Sequence, residues 1–112
     1  MDCVFCKIIS KKISSDVIYE DDNIVAFNDL SPVAPVHFLV IPKIHISSAD
    51  EICDENKYII SEIFGHIPLI CRNLGLNGEY RIVNNCGKMA GQTVNHIHFH
   101  VLSGREFGWP PG

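Results

Sequence analysis

Residues 96–102 read His-Ile-His-Phe-His-Val-Leu, a strict alternation of an imidazole with a large apolar residue that ends in a branched pair. Period two is the signature of a β-strand, because successive side chains on a strand leave on opposite faces. Ile97, Phe99 and Val101 then share one face and must be buried against a second layer of structure. His96, His98 and His100 share the other face. Neighbouring rings there lie roughly 6–7 Å apart, near enough to share a ligand or a proton network. The chain therefore has to build a sheet with an apolar face and a face carrying a row of imidazoles.

The rest of the chain supplies that sheet. Residues 17–19 and 24–28 read as short strands turned by Asp21-Asp22-Asn23, and residues 37–41 as a third strand closed by Pro42. Between them runs a loop, residues 29–36, punctuated by Pro32 and Pro35. Ser48-Ala49-Asp50-Glu51 has the form of a capping box and predicts a short helical turn. Ile60, Ile63, Phe64, Ile67, Ile70, Cys71 and Leu74 form one apolar stripe at helical period over residues 56–74, with Gly75 placed as a stop. Pro68 falls inside that pattern and predicts a kink. Residues 80–84 and 96–102 complete five strands, and Phe5, Ile8 and Ile9 have near-helical spacing in a short N-terminal stretch. The inventory predicts one α+β domain, residues 1–112, with a five-stranded antiparallel sheet, one long helix on a face of it and a short N-terminal helix.

Composition excludes several classes. A net charge of −4 offers no electrostatic footprint for long nucleic acid, so a small anionic ligand would need local groups to hold it. No apolar run approaches membrane-spanning length, and the acidic Met1-Asp2 start does not fit a signal peptide. Five cysteines, an odd number without secretory context, point to reduced thiols in an intracellular compartment. The expected location is the cytoplasm, with the nucleus as a further possibility.

Gly87-Lys88-Met89-Ala90-Gly91-Gln92 lies just ahead of the histidine strand. Glycines let backbone N–H groups approach phosphate oxygens, but this loop leads into a strand, so neither a P-loop nor a dinucleotide fingerprint fits. Imidazole suits phosphorus chemistry, since its ordinary pKa lies near neutrality and its neutral nitrogen is a nucleophile.

The alternation at 96–102, together with residues 27–42, 91–102 and the Trp109-Pro110-Pro111-Gly112 ending, resembles the histidine triad (HIT) superfamily. Within it the chain is most similar to the histidine triad nucleotide-binding proteins, the purine nucleoside phosphoramidase branch. The resemblance implies hydrolysis of nucleoside phosphoramidates or related nucleotidyl substrates through a covalent nucleotidyl intermediate on His98. His100 and His37 would serve as phosphate-side and orienting partners, with His96 completing the triad. Asn85, Gly91, Gln92 and Thr93 would line the phosphate or leaving-group site, and Asp29 would receive the ribose hydroxyls. Phe5, Ile8, Phe27 and Leu30 would form an apolar slot for the base. Trp109 would reach a partner subunit near its active site, so a homodimer is expected. The expected ligand or product is a purine nucleoside monophosphate, AMP or GMP.

Cys3-Val4-Phe5-Cys6 is a second constellation. A lone C-x-x-C fits a redox pair, free thiols or half a zinc site. Structural zinc needs four ligands, and His45 and His96 are the candidates for the other two, an arrangement that zinc-bearing members of the family resemble. Two further functions stay open at this stage: a dinucleoside polyphosphate hydrolase of the same superfamily, and a non-catalytic nucleotide-binding or zinc-stabilised interaction module.

Overall fold

The computed structural model describes residues 3–112. Two interior strands, β2 (Ile24–Asn28) and β3 (Val36–Pro42), are near-continuous apolar runs because both of their faces are covered. Ile24, Ala26, Phe38 and Val40 enter one core, while Val25, Phe27, Leu39 and Ile41 enter another. The first core is closed by a long helix, α2 (Lys57–Asn73), through the fully buried Ile63 and Ile67. Burying each of these side chains contributes about 2–3 kcal/mol. The second core is closed by a short helix, α1 (Val4–Ile9), whose Phe5 and Ile8 pack beside its N-cap Cys3. Apolar packing thus docks the N-terminal segment; Met1 and Asp2 lie outside the described residues.

With β1 (Val17–Glu20), β4 (Arg81–Val83) and β5 (Phe99–Ser103), the sheet runs β1-β2-β3-β5-β4, each neighbouring pair antiparallel. This is the α+β architecture that the pattern predicts. The register places His37 opposite Leu102 and Leu39 opposite His100. Ile97, Phe99 and Val101 accordingly join the α2 core, and the histidines take the α1 side.

The histidine strand is shorter than the alternation suggests. Its ladder begins at Phe99, opposite Val40. Continuing it would bring Ile97 toward Pro42, which has no N–H to give. The Ile97 N–H turns instead to the carbonyl of Ile46 (2.6 Å), so His96, Ile97 and His98 are buried but off the ladder. The fourth strand is likewise trimmed, from residues 80–84 to Arg81–Val83.

Helix α2 runs on through Pro68, where a kink is predicted. The carbonyl that loses its rung belongs to Phe64, on the helix's half-exposed side. Phe64 and Leu74 are not core residues as the stripe implies, whereas Ile59 is. The stop at Gly75 holds: with φ +77°, its N–H donates to Arg72 and that of Leu76 to Cys71, a Schellman ending. The expected short helical turn is present as a 3₁₀ turn, Ala49–Glu51, although Ser48 makes no side-chain cap bond and the capping box itself does not form. No helix among the described residues is long and apolar enough to cross a membrane.

Candidate functional site

A cavity of about 300 Å³ opens on the α1 side of the sheet, and its walls include Phe5, Ile8, Phe27, Asp29, His98 and His100. A larger groove of about 740 Å³ lies beyond the C-terminal end of α2, beside Tyr80, Arg81 and Phe107, but no histidine lines it. The cavity-facing histidines lie at the smaller one. Phe5 is its centre: its ring meets Phe27 (5.5 Å between centroids) and His98 (5.2 Å) edge to face.

Backbone groups assign the protons on these rings. Nδ1 of His98 lies 2.8 Å from the His96 carbonyl, which can only accept, so His98 carries its proton on Nδ1 and its lone pair on Nε2. The His98 carbonyl is itself held by Asn84 Nδ2 (2.9 Å). Nothing in the sequence pattern singles out Asn84. His37 shows the opposite arrangement, because the Val33 N–H donates to its Nδ1 (3.2 Å) and the proton of the neutral ring is left on Nε2. Nε2 of His37 then donates to His100 Nδ1 (2.9 Å), which leaves His100 with a proton on its own Nε2. Burial pushes the His100 pKa down to about 4, with further lowering from His98 and His37, so this ring is neutral near pH 7.

Asp29 belongs to the site and is also a turn residue. Its Oδ1 accepts the Ser31 N–H (2.8 Å), and its Oδ2 lies 3.5 Å from His37 Nε2. Thr93 lines the cavity mouth as expected. Leu30 touches the same mouth but is 97% exposed, so it is a rim residue and not a wall of an apolar slot. Gln92 is buried, and its amide is committed to the backbone: Oε1 accepts from Gly87 N–H, and Nε2 donates to Ser47 and Val94 carbonyls. It shapes the glycine loop and is not placed to contact a ligand through its side chain. Gly91, left-handed at φ +97°, ends a 3₁₀ turn, Lys88–Ala90, with the Asn85 amide about 3.5 Å from where its Cβ would stand. Asn85 and Trp109 line a separate groove along β4, outside the histidine cavity of their own chain.

The C-x-x-C meets the two expected histidines. Nδ1 of His96 lies 3.4 Å from Cys3 Sγ, 3.6 Å from Cys6 Sγ and 3.1 Å from His45 Nδ1, and Cys6 Sγ is 3.4 Å from His45 Nδ1. In tetrahedral zinc, bonds of 2.0–2.3 Å put neighbouring ligand atoms about 3.3 Å apart for two nitrogens and about 3.6 Å for nitrogen and sulfur. The donor set fits. His96 donates from Nε2 to the Pro42 carbonyl (2.9 Å), so its lone pair is on Nδ1, facing the cluster. Burial above all holds the His96 pKa down to about 4 and keeps that lone pair available. Burial also raises the Cys6 thiol, and a cation would reverse that by favouring the thiolate. Cys53, Cys71 and Cys86 stand apart from this cluster.

The sequence and fold have counterparts among known proteins. A HIT-like protein of Synechococcus elongatus is 44% identical over 111 residues, which is 99% of this chain and 97% of that protein. The crystal structure of a HIT family hydrolase from Legionella pneumophila Philadelphia 1 superposes with a TM-score of 0.95 at 41% identity, covering 99% of this chain and 100% of that one. A histidine triad nucleotide-binding protein from Candida albicans gives 0.83 at 32% identity, over 97% and 83% of the two chains. The HIT domain family model matches residues 10–107. With the family model matching most of its length and a relative of 44% identity covering nearly all of it, this chain belongs to the HIT domain family.

Proposed function

We propose that the protein hydrolyses small nucleotidyl substrates, nucleoside phosphoramidates in the first place, to a purine nucleoside monophosphate. The observation that carries this reading is the His96 carbonyl on His98 Nδ1, which leaves Nε2 as a neutral, lone-pair nitrogen on a ring that lines the cavity. In this scheme Nε2 of His98 attacks the α-phosphorus, the bond to the leaving nitrogen or oxygen breaks, and the leaving group takes a proton from solvent, which the attacking water of the second step gives back. Water then attacks the nucleotidyl-histidine, releases the monophosphate and restores His98. The His100 Nε2–H stabilises charge on the phosphoryl oxygens. Phe5, Ile8 and Phe27 pack the base, and Asp29 receives the ribose hydroxyls. Names of similar proteins, a hydrolase and a nucleotide-binding protein, support both halves of the reading.

The Cys3, Cys6, His45 and His96 cluster is proposed to hold structural zinc, which would tie α1, and with it the Phe5 wall, to the segment leading into β5 that carries the nucleophile. Zinc supplies no chemistry to the reaction. Homodimer formation belongs to the same proposal: β4 is an edge strand, and Trp109 beside it is 84% exposed.

The test compares turnover of an adenosine phosphoramidate and a dinucleoside polyphosphate by the parent protein and His98→Asn. The phosphoramidate should be the better substrate. The variant should bind AMP within a few-fold of the parent while losing roughly four or more orders of magnitude in turnover. A variant that retains turnover within a factor of a few removes His98 as nucleophile, and faster cleavage of the polyphosphate reassigns the substrate.

A further inference from the structure

The loop between β2 and β3 is stapled to the turn that follows β5. Gly104, at φ +97°, approaches Pro35 so closely that a Cβ there would come within 2.8 Å of Pro35 Cβ. Its neighbour Arg105 donates from Nε to the Val33 carbonyl (3.2 Å). Arg105 is in turn steadied by the Phe107 ring, 4.3 Å from its guanidinium carbon. On its other side, the Val33 N–H is the group that donates to His37 Nδ1. The two bonds use different peptide groups, so Val33 is gripped in front and behind.

We propose that Gly104 and Arg105 are positioning residues for His100. By holding the Val33 amide against His37 Nδ1 they fix the tautomers of both rings, so that His100 offers a phosphate oxygen an Nε2–H donor and not a lone pair. The nucleotidyl reading enters only through the identity of that ligand. Asp29, His37 and His100 also have the donor types of a divalent-cation site, with all three ligand atoms within 4.8 Å of one another. A cation there would need lone pairs on His37 Nε2 and His100 Nδ1 together. The neutral His37 ring would then carry its proton on Nδ1, head-on to the Val33 N–H. The staple selects the hydrogen-bonded relay over the metal.

The experiment is long-range proton–nitrogen correlation on histidine-labelled protein near pH 7.5, joined to kinetics of Arg105→Ala and Arg105→Lys. In the parent, His37 and His100 should both show a protonated Nε2 and an unprotonated Nδ1. His100 found with its proton on Nδ1 overturns the proposal. In Arg105→Ala, both rings should become tautomer mixtures and kcat should fall about fivefold, the effect of one net hydrogen bond, with KM within about twofold. Arg105→Lys should restore most of both. Because Arg105 is exposed, its removal should leave the melting temperature nearly unchanged. Unaltered ring-nitrogen signals in Arg105→Ala overturn the staple whatever happens to the rate. Should the parent cleave no nucleotidyl substrate, the functional reading falls, and the nitrogen signals still decide the staple.

Discussion

Mild acid should destabilise this protein through His100 in particular. An unfolded histidine takes up a proton near pH 6.5, whereas in the fold burial delays this to about 4, helped by His98 and His37 and opposed by Asp29. Between those values the unfolded chain binds the extra proton and the native one does not. The group's full stability is therefore present above about pH 6.5, drains as pH falls toward 4, and changes no further below that. The whole gap corresponds to about 3 kcal/mol, and partial exposure of the ring reduces the expectation to about 2 kcal/mol. The assay is urea unfolding of the parent and His100→Asn between pH 7.5 and 4.5, both after chelation so that no metal-linked protons enter. His96 titrates equally in both and cancels. The parent should lose about 2 kcal/mol more than the variant over that range. Equal losses would show that His100 is protonated as readily in the fold as in the unfolded chain, and the tautomer scheme around it would fail with it.

Other consequences are simpler to check. Phe5→Ala removes the ring that joins Phe27 and His98 and should cost about 3 kcal/mol in urea unfolding, besides weakening AMP binding. A loss below about 1 kcal/mol would mean that α1 contributes little to the second core. Parent protein purified without chelator should contain about one zinc per chain by elemental analysis, and the Cys3→Ser, Cys6→Ser double variant none. Gln92→Ala strands the Gly87 N–H and should cost about 2 kcal/mol, with the rise in KM exceeding the fall in kcat.

The period-two alternation was enough to expose the sheet, its apolar face and the row of imidazoles, because strand geometry leaves no other arrangement for those residues. The long helix was legible for the same reason of periodicity. Ile63, Ile67, Ile70 and Cys71 of the stripe are buried and Ile60 packs beside them, while its edges differ, since Ile59 is buried and Phe64 and Leu74 are half-exposed, a matter that the docking angle decides. Strand ends were less legible, because the ladder stops where Pro42 cannot donate, a property of the partner strand and not of residues 96–98. At the site, the alternation singled out the histidines and the family resemblance singled out Asp29 and Thr93, and the fold brings His98, His100, Asp29 and Thr93 to one cavity. They could not reveal that Gln92 serves the backbone, or that the Asn84, Val33 and Arg105 bonds support the rings. The Arg105 bond spans 72 positions and the Asn84 bond 14, so no local pattern encodes them, while the Val33–His37 and Gln92–Gly87 bonds are short in sequence but depend on loop conformations that no periodic pattern specifies.

The division of β5 between two cores also bears on how the chain avoids misfolding. A slip of one residue against β3 would exchange its faces, driving His98 and His100 into the apolar space under α2 and turning Phe99 and Val101 toward the cavity. Imidazoles there would find no backbone partner, and each unsatisfied ring nitrogen would cost on the order of 1–3 kcal/mol. A strand of plain aliphatic residues between two hydrophobic layers would carry no such penalty and could settle in either alignment. The histidines thus act as an index mark for assembly, so replacing all of them with apolar residues should yield a sheet that is more tolerant of shifted pairing as well as inactive.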